Sequence, residues 1–227
     1  MPIAARQCSD PVPSLPALAS LEVRREEDAA RMAVVQDRPE ADLARRFDAG
    51  HRAYVAWRNG EPAAWGWVAT RVAEIGELGT AFAVPHRERY LWNFVTRPAH
   101  RGLGIYPRLL DAVVRREARE AERCWIAYAP ENHASGAGIR KAGFVELAEL
   151  SFDAAGRAAL RSLLPGGARA AAGVLGLPEA EDDLAPCWRC VNAGGTTAGR
   201  TGTRAAMTCA PGHCRCDYQR PASGCAA

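Results

Sequence analysis

Thr96-Arg97-Pro98-Ala99-His100-Arg101-Gly102-Leu103-Gly104-Ile105-Tyr106-Pro107-Arg108-Leu109-Leu110 is the stretch that decides how this chain folds. An apolar, strand-like run, Tyr90-Leu91-Trp92-Asn93-Phe94-Val95, leads into it, and a helical pattern follows. A strand, a basic glycine-bearing turn and a helix start together make a site for an anion. The N–H groups of a first helical turn have no intrahelical acceptor, and the helix dipole favours negative charge there. Gly102 and Gly104 let backbone approach phosphate oxygens with no Cβ between them. Arg101 adds a charged fork. The spacing is neither that of the dinucleotide fingerprint nor that of the P-loop. On its own such a turn also serves as a plain strand-to-helix connection with Arg101 in solvent.

Working outward, a second segment lies downstream: Asn132-His133-Ala134-Ser135-Gly136-Ala137-Gly138-Ile139-Arg140-Lys141-Ala142-Gly143-Phe144. The first motif resembles the pyrophosphate loop of the GNAT N-acetyltransferase superfamily, Gln/Arg-x-x-Gly-x-Gly/Ala. Arg101 and Gly104 match it; Tyr106 stands where the family has Gly or Ala. The second resembles the family's Asn-x-x-Ala/Ser…Lys-x-Gly-Phe segment. The two occur in the expected order with a strand-like run between them, and the resemblance covers residues 20–152.

The remaining pattern is read from the residues. Residues 1–19 are rich in Pro, Ser and Ala and predict a loose lead-in. Residues 21–23 start a strand, and residues 26–35 and 39–47 read as two short helices. Asn59-Gly60 joins two strand-like runs, 51–57 and 63–72, which is a hairpin signal. Residues 73–88 lack a period. Residues 105–120 form an amphipathic helix with Leu109, Leu110, Val113 and Val114 on one stripe. Pro107 is tolerated there because the first turn needs no N–H from it. Residues 124–128 read as a buried strand. A strand, a helix and a strand in this order predict a parallel pair. Residues 133–142 read as a short helix weakened by Gly136 and Gly138, and residues 144–152 as a strand. Residues 153–164 carry helical spacing. This order, with the resemblance, implies an α/β fold with a mixed sheet, the GNAT acyl-CoA N-acyltransferase fold, carrying a Cys-rich C-terminal extension. The expected division is a lead-in 1–19, an acetyltransferase domain 20–164, and a linker and tail 165–227.

Composition narrows the class. The chain has 227 residues and a formal charge of only +3, so it lacks the basic excess of a nucleic-acid binder. Lys141 is its one lysine. No apolar run approaches membrane-spanning length, and no signal-peptide pattern opens the chain, so the expectation is cytoplasmic, with neither nucleic acid nor membrane as partner.

The resemblance implies that acetyl-CoA lies between two splayed parallel strands, here residues 90–95 and 124–128. The residues from Arg101 through Gly102, Leu103, Gly104 and Ile105 to Tyr106 would cradle its pyrophosphate. Val95 and Thr96 would present backbone groups to the thioester, where an N–H steadies a developing oxyanion. Asn132 would touch the cofactor; as a bare residue it equally suits a helix N-cap. Direct attack by a primary amine needs a base for the amine and an acid for the leaving thiolate. The family often places a Tyr in the second motif at the position of Ile139, which has no proton to give. Tyr128 is the first substitute and Tyr106 the second. His86 and Glu88, together with Glu77 and His133, are candidate bases. The acceptor is an amine of a small molecule or peptide. A non-catalytic acyl-CoA sensor or a metal-binding interaction protein is the alternative.

From Pro165 the composition turns to Gly, Ala, Arg and Thr, and Gly194-Gly195-Thr196-Thr197 reads as linker. Cys187 and Cys190 form a Cys-x-x-Cys pair, and Cys209 and Cys214 follow. These four are candidate ligands for zinc in the tail. The same cysteines also fit a tail without metal.

Overall fold

Residues Pro2–Gln7 form a strand, β1, where the sequence predicts a loose lead-in. Ile3, Ala4 and Ala5 are buried, so the strand shows no in–out alternation. A short strand covered on both sides reads only as a brief apolar run. The computed structural model describes residues 1–153 and 156–180. They divide into two units: one holds residues 4–127 and 134–145, the other residues 1–3, 128–133 and those from 146 onward.

In the first unit, β2 (Leu21–Glu26) precedes α1 (Ala29–Gln36) and α2 (Glu40–Asp48). Asp28 caps α1, its carboxylate accepting from the N–H groups of Ala30 and Arg31. β3 (Arg52–Arg58) and β4 (Glu61–Ala69) form the hairpin that Asn59-Gly60 predicts. Residues 73–88 are more regular than expected: β5 (Val72–Ile75) and β6 (Thr80–Ala83) pair around a short 3-10 turn. Then come β7 (Glu88–Thr96), α3 (Ile105–Glu117), β8 (Arg123–Ala127) and α4 (His133–Lys141). Strand order in the sheet is β1-β8-β7-β4-β3-β2. β7 and β8 are parallel, as the strand–helix–strand pattern predicts, and β4 runs antiparallel to β7.

The strands alternate their side chains between two helical layers. Met32, Val35 and Leu43 of α1 and α2 pack on Ala53, Val55 and Trp67. On the opposite face, α3 buries Leu109, Leu110, Val113 and Val114. Glu117 of α3 is fully buried among polar groups. Its carboxylate accepts from Tyr54 at 2.6 Å and from Arg52 and Arg89, each at 2.8 Å. The buried Tyr54 hydroxyl, facing that carboxylate, holds its proton far above the usual tyrosine range, with desolvation the larger cause. A second buried pair ties β1 to α3: Arg6 meets Asp111 at 2.9 Å and donates to the Ala142 carbonyl at 2.8 Å.

In the second unit, β9 (Val145–Phe152) and β10 (Ala158–Ser162) pair antiparallel from Ala158↔Phe152 to Ser162↔Ala148. The helical spacing of residues 153–164 is thus overridden: Ala, Leu and Arg are good helix formers, but intrinsic propensity is worth only tenths of a kcal/mol per residue and pairing to β9 wins. The linker expected from residue 165 begins instead with α5 (Gly167–Leu175), an apolar helix burying Ala168, Ala171, Val174 and Leu175. No helix among the described residues is long and apolar enough to cross a membrane.

Candidate active site

The site is built where β7 outruns β8. Pairing between the two strands goes from Glu88↔Arg123 to Leu91↔Ile126 and ends there, while β7 continues to Thr96. The cause lies on the other side of β7. Trp65 pairs with Val95 and Trp67 with Trp92, so Asn93 and Phe94 together oppose the single residue Gly66. That is a β-bulge, and Asn93 sits at φ +52 within it. Gly66 is required: a Cβ there would stand 2.2 Å from the Phe94 ring. The bulge bends β7 and leaves the residues from Trp92 to Thr96 unpaired to β8. Val95 is 36% exposed on this segment, and Thr96 closes it.

Past Thr96 the chain makes one 3-10 turn (Pro98–His100) and enters the loop that opens α3. Gly102 is at φ +77 and Gly104, the N-cap of α3, at φ +68. Both are left-handed conformations that glycine takes without strain. A Cβ at Gly102 would meet no heavy atom within 4 Å, so space stands open beside that backbone. The Arg101 side chain is exposed, its Nε donating to the Thr96 carbonyl at 3.3 Å. Leu103 is exposed and Ile105 buried, which anchors the loop from below. Arg108 clamps the loop's far side, donating to the carbonyls of Gly104 at 2.6 Å and Pro16 at 3.0 Å. The N–H groups of the first α3 turn, less that of Pro107, are the donors this arrangement offers. They suit a pyrophosphate, whose negative oxygens such N–H groups and Arg101 would hold.

Tyr106 turns its side chain inward. Its ring lies 5.9 Å from that of Phe94, and its hydroxyl is 3.3 Å from Ser135 Oγ. Burial pushes its hydroxyl up to about 12. Gly138, read from the sequence as a helix weakness, is what admits this ring: a Cβ there would stand 2.4 Å from Tyr106 Cδ1. Ile139 is fully buried beside it.

The remaining sequence candidates lie elsewhere along these elements. Glu88 opens β7, eight residues before Thr96, which is about 26 Å of extended strand. Its carboxylate accepts from the Trp125 indole at 2.5 Å. His86 is exposed in the turn before β7. The Glu77 side chain lies outside the described residues. In the second unit, Tyr128 donates its hydroxyl proton to Glu146 at 2.5 Å. Asn132 immediately precedes α4, its N–H bonded to the Ala129 carbonyl at 2.8 Å, and His133 is the helix's first residue. Cys187, Cys190, Cys209 and Cys214 lie outside the described residues. Among the described residues no group of His, Cys, Asp or Glu is arranged to hold a metal.

Sequence reading missed Arg46. Its guanidinium carbon lies 4.7 Å from the Trp92 ring centre and 5.1 Å from that of Trp67, and its Nη1 donates to Asn93 Oδ1 at 3.1 Å. A basic residue in an amphipathic helix gives no sign in sequence of standing over two indoles.

The sequence model of the Acetyltransferase (GNAT) family matches residues 18–144, more than half of the chain, and this protein belongs to that family. No curated protein matches it. Among solved structures, an acetyltransferase of the GNAT family from Novosphingobium aromaticivorans is 20% identical, with 64% of this chain and 59% of that one covered and a TM-score of 0.42. One from Colwellia psychrerythraea is 16% identical, covering 64% and 52%, with a TM-score of 0.44. The aminoglycoside N-acetyltransferase AAC(6')-Iy, in complex with CoA, is 17% identical, covering 61% and 97%, with a TM-score of 0.46. This chain therefore spans between half and six-tenths of the length of the first two.

Proposed function

We propose that this chain is an N-acetyltransferase that moves the acetyl group of acetyl-CoA to a primary amine. One observation carries the reading: the bulged, unpaired end of β7 runs directly into the two left-handed glycines at the N-terminus of α3. Anion-binding N–H groups and a strand edge with free backbone groups then lie in sequence along one path. Phosphate oxygens fit the first, and an extended amide-bearing chain ending in a thioester fits the second. Attack of the neutral amine on the carbonyl forms the C–N bond. A β7 N–H near Val95 steadies the oxygen as charge develops, a contribution of typically about 3 kcal/mol. The C–S bond then breaks, the thiolate gains a proton and the former amine loses one. The proton donor proposed from the sequence is Tyr128; Glu88 and His86, the sequence's candidates for the base, stand at the far end of β7, about 26 Å of strand from Thr96 and beyond direct reach of an amine at Val95. Tyr128→Phe, Glu88→Gln and His86→Gln each remove one such group, and a loss in kcat with unchanged acetyl-CoA affinity assigns it.

The experiment is calorimetric titration with acetyl-CoA of the wild type and of Arg101→Ala/Gly104→Glu. The double variant loses the charged fork and forces a charged side chain into the left-handed backbone of the loop at φ +68, where its Cβ would stand 2.5 Å from Arg108 Nη1. Micromolar binding by the wild type that the variant loses supports the site. A folded wild type that binds no acetyl-CoA refutes the reading. Ile139 in place of a tyrosine favours the second reading, an acyl-CoA sensor, and release of CoA thiol in the presence of an amine excludes it.

A further inference from the structure

Beside the β7 gap stand two arginines without a carboxylate partner and two indole N–H groups without an acceptor among the described residues. Trp92 and Asn93 are the first residues of β7 beyond its pairing with β8, and both are engaged by Arg46 of α2. Arg46 is half-buried, lying against the indoles of Trp92 and Trp67. Among the described residues no carboxylate forms an ion pair with it. Asp42, one turn before it on α2, is paired to Arg45 at 2.5 Å. Burial, with repulsion from Arg38, pulls the Arg46 guanidinium below its usual range against a smaller opposing pull from Asp42. Arg97, one residue past β7, likewise forms no ion pair among the described residues and donates to the Val35 carbonyl of α1 at 3.0 Å. The indole nitrogens of Trp67 and Trp92 are buried and lack a partner among the described residues. A partly desolvated cation gains from a carboxylate partner, and buried donors ask for acceptors. Repulsion from Arg38 and Arg46 makes this a poor place for a polycation.

We propose that the acceptor amine carries a carboxylate, as an amino acid does, and that Arg46 binds that carboxylate while the amine faces the β7 gap. This rests on the acetyltransferase reading above and names its substrate class. Arg46 acts as a specificity residue: its planar fork takes two carboxylate oxygens, which an amide or a second amine does not match. The acetyl transfer itself is unchanged, with the acetyl carbon bonding to the amine nitrogen and CoA leaving as thiol.

The test is a thiol-release assay with the common L-amino acids, each beside its carboxamide, and with spermidine and an aminoglycoside. At least one amino acid is turned over, with kcat/KM about 10–100-fold above its carboxamide, as for one charge-assisted hydrogen-bonded contact. Arg46→Gln abolishes that ratio by raising KM for the acid alone, while Arg46→Lys restores part of it. Acetyl-CoA affinity, read by calorimetry on the same variants, stays at the wild-type value and shows that they are folded. Equal use of acid and amide, preference for the polycations, an unchanged ratio in Arg46→Gln, or no amino acid acetylated by a protein that binds acetyl-CoA overturns this proposal alone. Absence of acetyl-CoA binding takes the acetyltransferase reading down with it.

Discussion

Alanine at position 138 should destabilise this protein when residue 106 is tyrosine and stabilise it when residue 106 is alanine. Gly138 lies inside α4 with an ordinary helical backbone, where Ala exceeds Gly by about 1 kcal/mol. The new Cβ, however, would stand 2.4 Å from Cδ1 of Tyr106 and 2.9 Å from Cε1, against an ordinary contact of 3.4 Å or more. The ring has nowhere easy to go. Phe94 flanks it at 5.9 Å, and its hydroxyl is held by Ser135 on α4 itself. Relief takes a movement of about 1 Å by ring or helix, and overpacking of this kind costs about 1–3 kcal/mol. Gly138→Ala therefore nets about 0–2 kcal/mol of destabilisation in the wild type. Tyr106→Ala alone costs about 3 kcal/mol, as loss of a packed ring does. In that background Gly138→Ala keeps only the helix gain and returns about 1 kcal/mol. The coupling in the double-mutant cycle is then about 1–3 kcal/mol. Urea denaturation of the four proteins measures it, and thermal melts follow at roughly 2–4 °C per kcal/mol for a chain of this size. An equal effect of Gly138→Ala in both backgrounds, or stabilisation of the wild type, refutes the argument that Gly138 exists to admit Tyr106.

Three further outcomes follow from named contacts. Glu117→Ala strands Arg52, Arg89 and Tyr54 under α3 and lowers stability by about 3–5 kcal/mol in urea titration. His51 touches Trp92 edge-on at 5.2 Å, and its imidazole titrates below its usual 6.5 because burial, then Arg46 and Arg71, disfavour the cation. The unfolded chain therefore binds its proton first: the His51 contribution is complete above pH 6.5, is lost as pH falls from there to the folded value, and is flat below it. Stability measured between pH 7.5 and 5 declines in the wild type and declines less in His51→Gln. Cys8 lies 3.9 Å from the buried Cys124, and the hydrogen bond from that thiol, with Arg6 and Arg89, pulls the Cys8 thiol below its usual range while the Cys124 thiol is pushed up. Alkylation by iodoacetamide at pH 7, mapped by mass spectrometry, labels Cys8 ahead of Cys124, and Cys124→Ala slows it.

The loop, α3 and the parallel β7–β8 pair are legible in the sequence because each rests on a local rule: glycines before a helix, a 3.6-residue period, a strand–helix–strand order. What stayed hidden depends on partners remote in sequence. β1 is a strand because it pairs within the sheet, with β8 as a neighbour, and β10 because β9 lies beside it. The bulge had a local trace in Gly66, a glycine inside an otherwise clean strand pattern, which marks a close approach. That trace was unreadable without knowing that Phe94 lies across from it. The same logic applies to Tyr106 and Gly138. Read singly, one is a departure from the family's small residue and the other a flaw in a helix. Together they are one packing solution, in which the ring that displaces the small residue is housed by a glycine 32 positions later. The ring is thereby turned toward α4. With its ring against Gly138 and Phe94 and its hydroxyl on Ser135, Tyr106 is accounted for by packing, and for that reason the departure at this position does not argue against acyl-CoA binding.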